Sequence, residues 1–493
     1  MGFSSLLYLF FFLPAVLLLY YLVPGRLAKP IILFIASLVF YSFGQPLALG
    51  LLLLSCLFNY ICGLDLHARL DAANGARTAG AVLSFVLAIF LNLLLPAAFV
   101  FLPKLLSLSA NANAKATVPQ VAVPLGLMFL MLRGISYHVD IWRGRGSAER
   151  NFFIFALYYT FFPSIALGPF DRFEKLRPTF YALMGRTGTE VSRKGRRRRK
   201  DEASRPSLSL FGSGVERFLF GFFKETLLAA PLYVLTLRIR EVPHSENTTF
   251  LSWVLVITYA LWLSLELSAY ADMAIGTGRM LGFKLSENFD RPFLSLSIRE
   301  FWWRWNITLV SWFRENIYQP IFRESGSWLR RIVGVVLAAG LFALWHGPAA
   351  AYLILAAYMV VLLLVGQSPV GRFFARFPDS LRWLFTNILL LVGVAILLSP
   401  SPANVLTDVF SLFGGAAGGI ANATMLYYLR TNLLLLIVAI IAVSGLFLVI
   451  YRWVRKRLPV LALVLMLGLF GLALAAALGG GGIDIFARLA LGA

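Results

Sequence analysis

Residues 381–398 read LRWLFTNILLLVGVAILL, and this stretch decides the fold. Arg382, at its edge, is the only charge in it. A helix rises ~1.5 Å per residue, so the stretch reaches across most of a hydrocarbon core about 30 Å thick. Working outward, similar runs lie at 3–24, 30–44, 46–63, 79–102, 121–141, 151–168, 213–237, 250–271, 331–345, 348–366, 382–400, 431–451 and 458–479. None alternates apolar and polar residues as the strands of a membrane β-barrel do. The expected fold class is all-α: a polytopic transmembrane helical bundle of about 11–13 hydrophobic segments, some re-entrant, around a central cavity. The first run, Phe3 to Pro24, has no basic leader and no small-residue cleavage site after it, and is expected to be a retained span.

Composition agrees. The 493 residues are 59% apolar and 14% charged, against about 45–50% and about 25% in soluble domains. A soluble enzyme, a disordered tail protein and a fibrous repeat are excluded. The net charge of +21 comes from 44 Lys and Arg against 23 Asp and Glu. The basic residues cluster between apolar runs, so they read as the positive-inside bias of cytoplasmic loops rather than as a nucleic-acid footprint. Cys56 and Cys62 lie six residues apart on one apolar helix, ~9 Å along its axis. They cannot bridge, and no metal-ligand pattern is present.

The basic loops set an orientation. Arg26 and Lys29 place the N-terminus outside; Arg69 and Arg77, then Arg143, Arg145 and Arg150, mark inside loops. The segment 186–206, with Arg196 to Lys200, is expected to be a basic cytoplasmic linker. Two inside loops then flank the run 151–168. An odd number of crossings cannot join them, so this run, broken by Pro163 and Gly168, is expected to enter the membrane and return. The organisation expected is N-terminal helices over 1–185, the linker 186–206, a membrane core over 207–400, and a C-terminal loop with further helices over 401–493. The Gly-rich stretch 401–430 reads as an outside loop.

Residues 270–323 carry too many arginines for an ordinary span. From Ser297 the spacing of Phe301, Trp305, Thr308 and Trp312 predicts one amphipathic helix, with Arg299, Arg304 and Arg314 off the apolar stripe. It reads either as an interfacial helix in the headgroup belt or as a vestibule that gathers an anionic substrate. His346, in ALWHGPAA between two nearly uncharged runs, is either a packing histidine at a Gly347-Pro348 turn or a functional one. His67 and His244 fall in loops, and His138 reads as orienting or capping beside Asp140. No nucleophile elbow, P-loop or dinucleotide fingerprint is apparent.

These pieces together resemble the membrane-bound O-acyltransferase family. The resemblance is to its bacterial branch, which contains the alginate O-acetyltransferase membrane subunit and the D-alanyl transfer protein of teichoic acid modification. It is carried by FSSLLYLFFFLP at 3–14, VPLGLMFLMLRGISYHVDIWRG at 123–144, NFFIFALYYTFFPSIALGPFDRF at 151–173 and YADMAIGTGRMLGFKLSENFDRPF at 270–293. REFWWRWNITLVSWFRENIYQPI at 299–321 and LWHG at 344–347 complete the set.

The resemblance implies acyl transfer to a hydroxyl, with His346 as the family's invariant histidine. The second family position, a His or Asn, falls on Asn306, where the nearest relatives usually carry His. Arg299, Arg304, Trp305, Arg314, Tyr270 and Asp272 are the expected substrate contacts. No metal and no resident cofactor are expected. The implied donor is acetyl-CoA or an acyl-carrier thioester. The implied partners are an extracytoplasmic acetyltransferase or small carrier protein and a polysaccharide acceptor, at the inner (plasma) membrane. Three other readings stand beside this one. One is D-alanyl transfer to teichoic acid from an aminoacyl carrier protein. Another is a transporter or flippase using Glu266 or Asp272. The third is an inactive paralogue, suggested by Asn306.

Overall fold

The computed structural model describes residues 2–25, 27–43, 46–109, 126–165, 168–185, 207–322, 327–346 and 350–479. The linker 186–206, Arg26, Arg323 and the Gly347-Pro348 turn lie outside the described residues. Every regular element among the described residues is a helix. Eight are long and apolar enough to cross a membrane: Leu49–Ala72, Ala79–Ala98, Leu208–Arg240, Thr249–Met280, Trp328–His346, Asp379–Leu398, Ala423–Ser444 and Pro459–Gly479. Tyr8–Leu22, Ala28–Ser42 and Ala350–Val365 are shorter apolar helices. The chain is a polytopic helical membrane protein. Cys56 and Cys62 are both free thiols on one helix.

Two compact units form, residues 3–216 with 274–286, and residues 217–273 with 287–493. The compositional breaks at 185, 206 and 400 mark changes of polarity. Packing carries 274–286 back to the N-terminal unit: the Tyr20 hydroxyl donates to the Leu281 carbonyl at 2.9 Å, and the Phe161 and Phe283 rings lie 4.6 Å apart.

In the first unit, helices Pro46–Ala72, Ala79–Ser109 and Leu127–Trp142 pack on one another. Asn59 and Asn92 exchange side-chain hydrogen bonds at 3.2 and 2.8 Å. They meet against Gly134, where a Cβ would collide with the Asn92 Oδ1. Among the described residues of the run 151–168 there is a nine-residue helix, Phe152–Thr160, and a short turn. Nine residues rise ~14 Å, well short of a crossing. Asn151 caps the helix through Phe153 N and Ile154 N. Its far end is closed by the buried Arg133, which donates to the Tyr158 and Tyr159 carbonyls at 2.9 Å each and to the Ser164 carbonyl and hydroxyl. Main-chain groups freed where a helix stops must find partners away from water, and one guanidinium supplies several donors at once.

In the second unit two sequence expectations need correction. The predicted span 431–451 is instead Ala423–Ser444, ended by Gly445 at φ 78°, and a separate basic helix, Leu446–Arg457, follows. Polar residues had pushed the expected boundary too far along the chain. They are absorbed within the helix: the Thr431 hydroxyl donates to the Tyr427 carbonyl and the Asn432 amide to the Tyr428 carbonyl. The stretch 401–430 is likewise not all loop. It contains the helix Val405–Phe410 and the first turns of the Ala423 helix.

Candidate active site

The site is built on the second unit. Ser297 starts the helix Ile298–Arg304 by accepting Glu300 N, while the Glu300 carboxylate accepts Leu296 N, a near relative of the capping box. The single amphipathic helix expected from Ser297 does not form. Trp305 is extended, Asn306 takes the left-handed conformation at φ 43° and ψ 53°, and a new helix runs Ile307–Phe313. Asparagine tolerates this region far better than most side chains. The break turns the chain so that periodicity through Trp305 no longer describes one face.

Aromatic packing fixes the two pieces. Trp305 stacks on Phe301 at 5.4 Å and meets the Phe289 ring edge-on at 5.2 Å. Phe301 and Ile298 pack with Met359 and Leu390 in a common cluster. Phe342 then joins three parts of the site. Its ring lies 5.6 Å from Trp302, 5.5 Å from Phe313 and 4.7 Å from His346. His346 ends the helix Trp328–His346, and the Tyr352 ring from the next helix lies 5.4 Å away. The aromatic block around Asn306 and the His346 helix are thus brought together through one side chain.

The histidine's tautomer follows from its partner. His346 Nδ1 lies 2.9 Å from the Phe342 carbonyl oxygen. A carbonyl only accepts, so Nδ1 carries the proton. In the neutral ring the lone pair is then on Nε2. Nε2 makes no hydrogen bond among the described residues, which leaves its lone pair uncommitted. His138 makes the same type of bond to the Gly134 carbonyl at 2.7 Å, but it is wholly buried, which suits it to packing. The Asn306 Oδ1 is buried and has no hydrogen-bond partner among the described residues.

The remaining expected contacts divide. Arg299 is exposed, Arg304 is held by Glu300 at 2.7 Å, and Arg314 lies 4.0 Å from Glu315. Tyr270 is buried on the helix Thr249–Met280. Asp272 has both oxygens engaged: Arg217 Nε donates to one at 2.7 Å and Lys224 Nζ to the other at 2.7 Å. It anchors two cations within the helix pair. Arg217 and Lys224 escaped the sequence reading, which took 213–237 as a plain span. Phe342 escaped it too, although its place four residues before His346 was a usable signal.

The model of the membrane-bound O-acyltransferase (MBOAT) family matches residues 108–397, more than half of the chain. The chain belongs to this family. The matched region holds Asn306, Phe342 and His346, and the MBOAT assignment makes the protein an O-acyltransferase. The protein is 32% identical to the probable alginate O-acetylase AlgI of Azotobacter vinelandii, over 90% of this chain and 85% of that protein. It is 26% identical to a peptidoglycan O-acetyltransferase of Helicobacter pylori, over 78% of this chain and 74% of that one. A teichoic acid D-alanyltransferase of Bacillus subtilis is 25% identical over 65% of this chain and 74% of its own length. Membership of an enzyme family displaces the transporter reading.

Proposed function

We propose that this acyltransferase moves an acetyl group from cytoplasmic acetyl-CoA to a hydroxyl on an extracytoplasmic polysaccharide or partner protein, at the inner membrane. The observation that carries the reading is His346, whose Nδ1–H is tied to Phe342 O while Nε2 is left open beside the Asn306 block. In this scheme Nε2 takes the proton of the acceptor hydroxyl as its oxygen attacks the thioester carbonyl. The tetrahedral adduct collapses with cleavage of the C–S bond. The thiolate leaves with the proton from the imidazolium, giving the ester and free thiol. General-base assistance of this kind contributes typically ~10²–10⁴-fold. The Asn306 amide donates to the developing oxyanion, and loss of one such donor costs ~10²–10³ in rate. Arg299 and Arg314 supply cationic charge for donor phosphates, Trp305 supplies an aromatic wall, and Asp272 holds its helix in place through Arg217 and Lys224.

Acetyl as the acyl group is supported by the alginate and peptidoglycan relatives. The orientation rests on the basic loops. The test is transfer of label from radiolabelled acetyl-CoA in membranes containing the protein, its acceptor and its extracytoplasmic partner. Label should reach the acceptor with intact protein and fall to background with His346→Ala. If intact, folded protein transfers no label while D-alanyl carrier protein does donate, the acetyl reading falls and the aminoacyl one replaces it.

A further inference from the structure

An asparagine at the start of a helix ordinarily turns its own Oδ1 onto one of the first free N–H groups. Asn306 occupies that position before the helix Ile307–Phe313 and makes no such bond. The first two N–H groups of this helix are taken by another residue. The Asn288 carbonyl accepts Ile307 N at 2.8 Å, and the Asn288 Oδ1 accepts both Thr308 N at 3.1 Å and the Thr308 hydroxyl at 2.7 Å. Asn288 is only 3% exposed. Its neighbours grip the other side of the break: Asp290 N donates to the Arg304 carbonyl at 3.0 Å, and Phe289 meets Trp305 edge-on. Residues 288–290 therefore clamp both flanks of the left-handed turn.

We propose that Asn288 is a positioning residue for the acyl-transfer reaction: it caps the helix in place of Asn306, holds the left-handed turn, and leaves the Asn306 amide free for the reacting groups. The proposal rests on the catalytic reading of Asn306 given above. An unpaired buried amide oxygen carries an uncompensated desolvation cost. An Asn306 that capped its own helix would relieve that cost and withdraw from the site. With Asn288 occupying the Ile307 and Thr308 N–H groups, a bond from Asn306 to either of them is closed.

The test compares Asn306→Ala, Asn288→Ala, Asn288→Asp and the double alanine variant in the radiolabelled acetyl-CoA assay. Asn288→Ala should lower kcat about 10–100-fold, the scale of a ~1 Å misplacement, with the KM for acetyl-CoA unchanged. Asn288→Asp keeps an acceptor oxygen and should retain most of the rate. Adding Asn288→Ala to Asn306→Ala should cost nothing further. Hydrogen exchange gives a readout independent of turnover: the Thr308 amide should exchange faster in Asn288→Ala and normally in Asn288→Asp, while Ile307, held by the Asn288 main-chain carbonyl, is the internal reference. If Asn288→Ala does not fold, Thr308→Val, which removes one of the bonds, should show a smaller loss of the same kind. Full activity in Asn288→Ala with Asn306→Ala impaired, additive losses in the double variant, or unchanged exchange overturns the proposal. Full activity in Asn306→Ala overturns the catalytic reading instead, and the exchange arm still decides whether Asn288 is the cap.

Discussion

At the scale of single residues, chemistry and backbone conformation select together. The position of Asn306 needs a polar side chain and a left-handed backbone. Asn and His are both enriched in that region, which accounts for the His-or-Asn alternation that the family resemblance gave. Asn306→His should therefore fold like the parent. Asn306→Val should lower thermal stability in detergent by about 1–2 kcal/mol, since a β-branched residue resists that conformation. At His346 the bond to Phe342 O and the open Nε2 can be separated. In His346→Asn the side-chain amide can still donate to the carbonyl but cannot act as a base. It should keep its unfolding temperature and lose ~10²–10⁴-fold in transfer rate. A variant that stays active would remove His346 from the chemistry. Because the base must be unprotonated, the parent's rate should fall as pH drops through the titration of the imidazole, and rise again on return to neutral.

At the scale of elements, helices end where a specific residue stops them. Gly445 closes the helix Ala423–Ser444 at φ 78°, and a Cβ there would meet the Arg291 Cδ at 2.7 Å. Gly445→Ala carries both a conformational and a steric penalty, the first about 1–2 kcal/mol. Thermal unfolding of Gly445→Ala with and without Arg291→Ala should recover only the steric part. Full recovery would mean that the left-handed turn itself is not what the glycine is for. The nine-residue helix Phe152–Thr160 ends differently, on the donors of Arg133. Arg133→Leu leaves several buried acceptors unpaired, each costing about 1–3 kcal/mol, so the folded fraction after extraction should drop sharply. Arg133→Lys should rescue little, because an ammonium cannot reproduce the planar fork.

At the scale of the molecule, charge inside an apolar chain is neutralised locally. Asp272 holds Arg217 and Lys224, and Arg217 also meets Glu287. In the first unit, Glu149 pairs with Arg177 at 3.0 Å and accepts the Tyr181 hydroxyl at 2.8 Å, tying the loop before Asn151 to the helix Phe173–Leu183. That helix is not among the spans, and burial raises the Glu174 carboxyl on it above its ordinary range. Breaking one partner of such a pair costs more than replacing all of it. Asp272→Ala should destabilise by about 3–5 kcal/mol. Replacing Asp272, Arg217 and Lys224 together by apolar residues should restore much of the loss, measured as unfolding midpoint in detergent. Equal damage from both would show that these groups do more than balance one another.

The sequence by itself determined the class of the fold and the place to look for chemistry. Long uncharged runs have only one way to satisfy their main-chain groups in lipid, and a histidine between two such runs is conspicuous because burying it is costly. The parity of the basic loops singled out 151–168. Tertiary structure decided where regular helices break and which polar groups meet. A left-handed Asn306 reads in sequence as one more position within a single amphipathic helix. Asp272 reads as a free carboxylate until Arg217 and Lys224, some fifty residues earlier, are packed against it. Hydropathy reports a residue's own preference for lipid or water. Which donor meets which acceptor is set by contacts distant in the chain, and those exist only once the helices have packed.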